Sequence, residues 1–409
     1  IEAAGLTEAQ LAMIGGGLPA MMELLTETPI ETIKAHMKLR FLGSNADILS
    51  SELDDANFEM FGRTINGLEE QQPRWKRAIS HVEGALGEQL GAIYVERFFP
   101  PSSKARMDEL VANLSRAMTM ALDENEWMTP ATLTEARTKL EGFVPMIGYP
   151  DEFETYDGLS IGNDPLANRM SAANWNNKDN LARLGTKVDP SEWGMLPQTV
   201  NAYYSPLTNR IVFPAAILQP PFFNAEADPA VNYGGIGAVI GHEIGHGYDD
   251  QGSQFDATGT LRNWWQAEDR EGFEQFTSKM GEFIESYCPV DSAEGPVCLR
   301  AGQSMGETLG DVVGLQMAYR AYKMSLGGEE APVIDGLTGD QRFFLGFAQI
   351  WRGMEREASL RNRVMTANHP PSEFRLNNSV RHSDAWYEAF NVTPEDDLYL
   401  PPEERIRIW

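Results

Sequence analysis

The chain has 409 residues, 42% of them hydrophobic, enough to bury a large core and of a length that fits two or three domains. Its formal net charge of −27 repels nucleic-acid phosphates and anionic lipid headgroups, which argues against both as partners. No apolar run approaches the roughly 18 residues of a membrane span, so none is expected in this chain.

The opening IEAAGLTEAQ lacks the basic and apolar segments of a signal peptide. A start at Ile reads as a processed, truncated or separate piece, with any signal lost upstream. From residue 1 to about 150 the chain reads as helical. TPIETIKAHMKLRFL opens on Thr-Pro, with Thr28 and Glu31 spaced as a capping pair. RWKRAISHVEGALGEQLGAIYVERFF and SSKARMDELVANLSRAMTMALDENEWM repeat apolar residues at three and four, and TPATLTEARTKLEGF starts on a second Thr-Pro. From Tyr149 to about Pro197 the composition turns to Asn, Asp, Gly and Pro, as in a connecting region. TVNAYYS and RIVF, flanking Pro-Leu-Thr-Asn, read as a hairpin or as edge strands. A long helix is expected from about Val231 through His246. Cys288 and Cys298 flank a loop-like stretch; they form a local disulfide or stand as two free thiols, and two cysteines alone do not decide.

The stretch VIGHEIGHGYDDQG carries the chemistry. Positions i and i+4 share a helix face, so His242 and His246 point the same way, one turn apart. Two imidazoles at that spacing suit zinc, and Glu243 can reach a water there rather than the ion. Gly241, Gly245 and Gly247 are poor helix formers; crowding near a metal or close helix packing would each explain them. A catalytic zinc needs a third protein ligand. HExxHxxGxxH fails, because Asp249 and Gly252 stand where it needs Gly and His. Glu268 follows downstream but has no carboxylate one turn on. Glu307 in GETLGDVVGLQMAYRAY has Asp311 at i+4, which could accept the free ring N–H of a ligating histidine, so Glu307 is preferred. The bland account, a surface carboxylate pair, sets like charges together at i+4 and is disfavoured. His36 and His81 read as structural. His369 in NHPPSEFR, with Arg375 six positions on, would suit a developing oxyanion and a peptide carbonyl.

Together these residues resemble the neprilysin and endothelin-converting-enzyme family of zinc endopeptidases, bacterial members included. The resemblance rests on VNAYYSPLTNRIVFPAAILQPPFF, GHEIGHGYDDQGSQFDATGTLRNWW, GETLGDVVGLQMAYRAY, FFLGFAQIWRG, His369 to Arg375 and the closing RIW, in the family's order over nearly the whole chain. It implies a mainly α fold with a small β component. A thermolysin-like catalytic domain (166–409) and part of a helical domain (1–165) would face each other across a central chamber. It implies one Zn2+ per chain on His242, His246 and Glu307, with Glu243 as general base and Asp311 behind a ligating histidine. His369 would stabilise the oxyanion, and Arg375 would bind substrate backbone. Asn201 and Ala202 would grip the substrate main chain as an added strand. Ile217, Phe222, Val239, Ile350 and Trp351 would form the pocket for the residue after the cleaved bond, with plain core packing as their alternative. Oligopeptides would be cut before bulky apolar residues, outside the cytoplasm, in the periplasm or after secretion.

The chain departs from the family at Thr308, where Asn is usual, at Gly310 and Val312, and at His382, which replaces an Asn and could alter hydrogen bonding near Arg375. Relatives also carry a further upstream helical stretch, so a separate chain or upstream segment would complete the helical domain. The rival readings are a catalytically silent zinc-bearing peptide-binding protein and a different peptidase with Glu268 as ligand.

Overall fold

The computed structural model describes residues 17–293 and 295–409. Residues 1–16, the start of the expected helical region, lie outside the described residues. The chain divides into two compact units. The smaller comprises the described residues up to Gln71 together with Leu159–Asn174. The larger comprises Gln72–Gly158 and Trp175–Trp409.

The smaller unit holds α1 (Gly17–Glu27), α2 (Ile30–Asn45) and α3 (Ser51–Asn57), followed by a π-helical stretch, Phe58–Ile65. Ser50 caps α3, its hydroxyl accepting from the Leu53 N–H. The capping pair expected at Thr28 and Glu31 does not form. Pro29 takes the cap position of α2, and the Thr28 hydroxyl turns back to donate to the Leu24 carbonyl at 2.6 Å. Arg169 ties the 159–174 segment to this unit through the Ser44 carbonyl at 2.5 Å. Met21, Met22, Leu24 and Leu25 of α1 and Met37, Leu39 and Phe41 of α2 stay exposed.

The larger unit opens with α4 (Arg74–Phe98), α5 (Pro101–Asp123) and α6 (Pro130–Glu141), the last capped by Thr129. The Asn/Asp/Gly-rich connection contains one long helix, α7 (Pro165–Ala182), whose residues up to Asn174 belong to the smaller unit. The expected hairpin is present as β2 (Tyr203–Ser205) and β3 (Arg210–Pro214), paired antiparallel with Tyr203 opposite Val212. The helical reading of residues 1–150 misses β1 (Val144–Gly148), which pairs parallel to β3 with Val144 opposite Arg210. VPMIG is too short to show a period, and its partner lies far along the chain. The sheet order β1-β3-β2 leaves β2 at an edge.

The long helix arrives in three continuous pieces: α8 (Pro229–Asn232), a π turn at Tyr233–Gly237, and α9 (Ala238–His246). There follow α10 (Ala267–Ser286), a hairpin of β4 (Val290–Ser292) and β5 (Gly295–Val297), and α11 (Ala301–Ser325). The chain closes with α12 (Gly339–Ile350), α13 (Glu357–Thr366), α14 (Ser372–Arg381) and α15 (Asp384–Phe390). Cys288 and Cys298 are disulfide-bonded across the β4–β5 hairpin.

Helices α9 and α11 pack closely against each other, and Ile240, Ile244, Leu309 and Val313 are buried in one hydrophobic core. Glycine permits this approach. A Cβ on Gly241 would lie 2.6 Å from the Gly314 carbonyl oxygen, and one on Gly314 would lie 2.6 Å from the Ala238 oxygen. Close helix packing therefore accounts for Gly241. At Gly310 a Cβ would come within 2.8 Å of His242 Nδ1. The same backbone contact that packs the helices sets α11 carboxylates against α9 imidazoles.

His382 belongs to the core and not to the surroundings of Arg375. It is 1% exposed. Its Nδ1 accepts from the Ile406 N–H at 3.1 Å, its carbonyl accepts from Gln316, and its ring meets Phe283 edge-on. Burial, with Arg381, Lys279 and Arg407 nearby, holds its pKa down to about 3, below the ordinary 6.5. Between those values the unfolded chain binds a proton that the folded chain refuses. Stability is therefore undiminished above about pH 6.5 and falls as pH drops toward 3, by up to about 1.4 kcal/mol per pH unit from this residue. His382→Asn is expected to flatten that slope in urea unfolding followed from pH 7 to 4.5. An unchanged slope would contradict the assignment.

Candidate active site

Helix α9 points His242 and His246 to one side, ring centroids 4.4 Å apart, and α11 brings Glu307 against them. Their ligating atoms all lie within 4.8 Å of one another. His242 Nε2 is 3.5 Å from Glu307 Oε2, and His246 Nε2 is 3.9 Å from Oε1. Tetrahedral zinc with ligand bonds of roughly 2.0–2.2 Å sets its ligand atoms about 3.3–3.6 Å apart, so this triad is near the required spacing.

Both outer ring nitrogens are already engaged. His242 Nδ1 meets Asp311 Oδ1 at 2.9 Å, as the i+4 spacing from Glu307 predicts. His246 Nδ1 meets Asp249 Oδ2 at 2.7 Å. Two carboxylates that accept from Nδ1–H leave both Nε2 lone pairs facing Glu307, the tautomer a metal requires. Asp249 is a functional residue that the sequence reading missed. It entered there only as a mismatch to a longer zinc pattern, though i+3 spacing from His246 was a usable signal.

The electrostatics favour a cation. Burial disfavours an imidazolium at His242, but Asp311 and Glu307 outweigh it and raise its proton affinity to about 10. Burial pushes the Glu307 carboxyl up, yet His242 and Arg375 hold it well below the usual carboxylate range. Burial raises Glu243, opposed by the two imidazoles and reinforced by Glu307. Glu243 is 4% exposed, and its Oε2 has no hydrogen-bond partner. Such an orphaned buried acceptor is costly unless it serves a ligand or water. Two imidazole nitrogens, one carboxylate oxygen and an adjacent unengaged carboxylate fit zinc with a reacting water.

Arg375 on α14 is buried and fixed. Its Nε–H donates to Asp311 Oδ2 at 2.6 Å and its Nη2–H to Oδ1 at 2.7 Å, with the guanidinium 4.2 Å from the Trp351 ring centroid. Its Nη2 also lies 3.5 Å from Glu307 Oε2. His369 is more open, 44% exposed at the side chain, with Nε2 3.2 Å from Glu307 Oε1. Its Nδ1 pairs with Asn368 Oδ1 at 3.0 Å.

A cleft of about 510 Å3 joins these groups. Asn201 and Ala202, just before the edge strand β2, line it, as do Ile217, Phe222, Val239, Ile350 and Trp351. Phe347 and Asn368 line it too and were not foreseen. Phe347 was legible, lying three positions before Ile350 on α12. Glu268 is exposed at the start of α10 and takes no part in the metal-ligand cluster, which removes the competing third ligand.

Comparison with known proteins places the chain in a family. Two models described as peptidase family M13 match residues 17–150 and 201–406. Neprilysin-1 of Caenorhabditis elegans is 33% identical, over 96% of this chain and 53% of its own length. Endothelin-converting enzyme 1 of Bos taurus is 34% identical, over 96% of this chain and 52% of its own. A crystal structure of the Mycobacterium tuberculosis zinc metalloprotease ZMP1 with an inhibitor superposes with a TM-score of 0.91. It is 46% identical and covers 95% of this chain and 59% of that one. This chain thus spans about half the length of the curated relatives it matches. The mainly α architecture with few strands is that of these neprilysin-like zinc peptidases, and the chain belongs to peptidase family M13.

Proposed function

We propose that this protein is a zinc-dependent endopeptidase that hydrolyses oligopeptides on the amino side of bulky hydrophobic residues. The observation that carries the reading is the prearranged triad. His242, His246 and Glu307 converge with both imidazole tautomers set by carboxylates, beside a buried Glu243 oxygen that has no partner.

These three residues would hold the ion. When bound, zinc supplies Lewis-acid polarisation of the scissile carbonyl and makes water a nucleophile near neutral pH. Glu243 takes the proton of the attacking water at its free oxygen and delivers it to the leaving amine. His369 turns its Nε2 edge toward the site and would stabilise the oxygen that gains charge. Asp311 holds His242 from behind and anchors Arg375, whose remaining N–H groups bind substrate carbonyls on the primed side. Asn201 and Ala202 pair with the substrate main chain, continuing the sheet beyond β2. The apolar wall of Ile217, Phe222, Val239, Ile350 and Trp351 receives the side chain after the cut.

The whole protein would enclose this cleft in a chamber that admits oligopeptides and excludes folded proteins. An upstream segment or separate chain would complete the helical domain. The span of the relatives and the exposed apolar residues of α1 and α2 support that reading. The Cys288–Cys298 disulfide supports a place outside the cytoplasm. None of the described helices is long and apolar enough to cross a membrane.

Removing the metal separates this reading from a silent zinc-bearing protein. A chelator is expected to abolish peptide cleavage while far-UV circular dichroism and the cooperative unfolding transition persist, and added zinc restores activity. Global unfolding on chelation would assign the ion a structural role.

A further inference from the structure

Lys139, near the C-terminal end of α6, is 1% exposed, a rare condition for a lysine. Its Nζ donates to three backbone carbonyls: Gly247 at 2.6 Å, Gly252 at 2.7 Å and Phe255 at 2.7 Å. The rings of Tyr204, Tyr248 and Trp264 surround it at 5.7, 5.7 and 5.9 Å. Three acceptors around one nitrogen require three N–H donors, so the group is an ammonium with no donor left over. Burial pulls its pKa down to about 7 while Asp249 and Asp256 oppose that pull.

The three carbonyls belong to one loop, which leaves α9 directly after His246. Gly247 is the first residue past the helix. Gly252 is held from both sides: its carbonyl by Lys139, and its N–H by Asp249 Oδ1 at 2.6 Å. The loop is folded so tightly that a Cβ on Gly252 would lie 1.7 Å from the His246 carbonyl oxygen. Asp249, gripped inside this loop, is the residue that holds His246 Nδ1. Lys139 also reaches the substrate edge of the sheet, since its own carbonyl accepts from Asn209 Nδ2 at 2.9 Å in the turn between β2 and β3.

We infer that Lys139 is a positioning residue for the metal centre, its ammonium fixing the loop that holds Asp249 and hence the orientation of the His246 imidazole. It touches neither ligand nor substrate and acts through three peptide carbonyls. The inference rests on the zinc reading above. An apolar side chain of similar length leaves the buried Gly247 carbonyl unpaired and removes the charged donor from two others. Gly252 still accepts from the Phe255 N–H at 3.0 Å, and Phe255 still accepts from Trp264 Nε1–H at 3.1 Å. The loop is then held less firmly where it leaves His246. Asp249 then loses its place behind His246. Loss of a carboxylate behind a zinc-binding histidine typically weakens the metal by about 10–100-fold.

The test compares Lys139→Met and Lys139→Gln with Leu140→Ala, a core truncation at the neighbouring position of the same helix that leaves the Lys139 ammonium in place. Zinc dissociation constants are measured by competition with a chromophoric chelator, together with kcat and KM on one peptide. Lys139→Met is expected to weaken zinc by at least about tenfold and to lower kcat with KM within about twofold. Lys139→Gln, which keeps two N–H donors, falls between it and the parent, and it carries the test if Lys139→Met does not fold. Leu140→Ala lowers thermal stability with zinc affinity unchanged. If the Lys139 variants match Leu140→Ala, stability lost with zinc affinity and kcat intact, the inference is overturned. If the parent protein itself binds no zinc, the underlying metal reading fails instead.

Discussion

Glu243→Gln lowers turnover by about 10²–10⁴-fold, the range for losing one general acid–base group, while zinc stays bound at the parental stoichiometry. The substitution keeps the size of the side chain and removes its capacity to take a proton. Glu243 lies one position past His242 and so off the shared imidazole face, and it is absent from the cluster of ligating atoms. Metal content therefore has no reason to change. The parent carboxylate is buried, with one oxygen unengaged, so the group is held ready without a competing partner. In the proposed function the sheet edge and the apolar wall bind the substrate, so KM is expected to stay within a few-fold and the loss to fall on kcat. Turnover retained near the parental rate would remove Glu243 from the chemistry.

The second large effect is on the metal itself. Glu307→Ala is expected to weaken zinc by more than the roughly 10–100-fold typical of losing an outer partner, and to leave the purified protein without stoichiometric metal. Glu268→Ala keeps its zinc, because that side chain is exposed and apart from the cluster. The fold tolerates Glu307→Ala because Arg375 keeps its two hydrogen bonds to Asp311 when the 3.5 Å approach to Glu307 is gone. Metal analysis of the two proteins side by side decides the third ligand. Zinc retained by Glu307→Ala and lost by Glu268→Ala would reverse the assignment.

The parts of this site legible in the sequence are those set by local helical geometry. His242 and His246 at i+4, and Glu307 with Asp311 at i+4, specify two faces before any tertiary contact is known. That the two faces meet depends on the close approach of Gly241 to Gly314. The sequence left close helix packing at Gly241 as one of two explanations and gave no sign of its partner Gly314. Strand β1 was missed because parallel pairing with β3 is a non-local choice that five residues cannot announce. The Thr28 cap failed for a local reason: Pro29 took the cap position and freed the hydroxyl for the preceding helix. Lys139 carried no signal at all. Among charged residues of an amphipathic helix, nothing in TEARTKLEGF marks the one that turns inward, because its partners are backbone carbonyls of a distant loop.

In the proposed function this cleft, with zinc, cuts peptides before bulky apolar residues. The most direct test is digestion of a mixed oligopeptide library by the protein, read by mass spectrometry, with and without a chelator. Cuts before Phe, Leu or Ile that vanish with the chelator and return with zinc are the predicted result. Cleavage indifferent to the chelator, or none from a protein holding one zinc per chain, would contradict it.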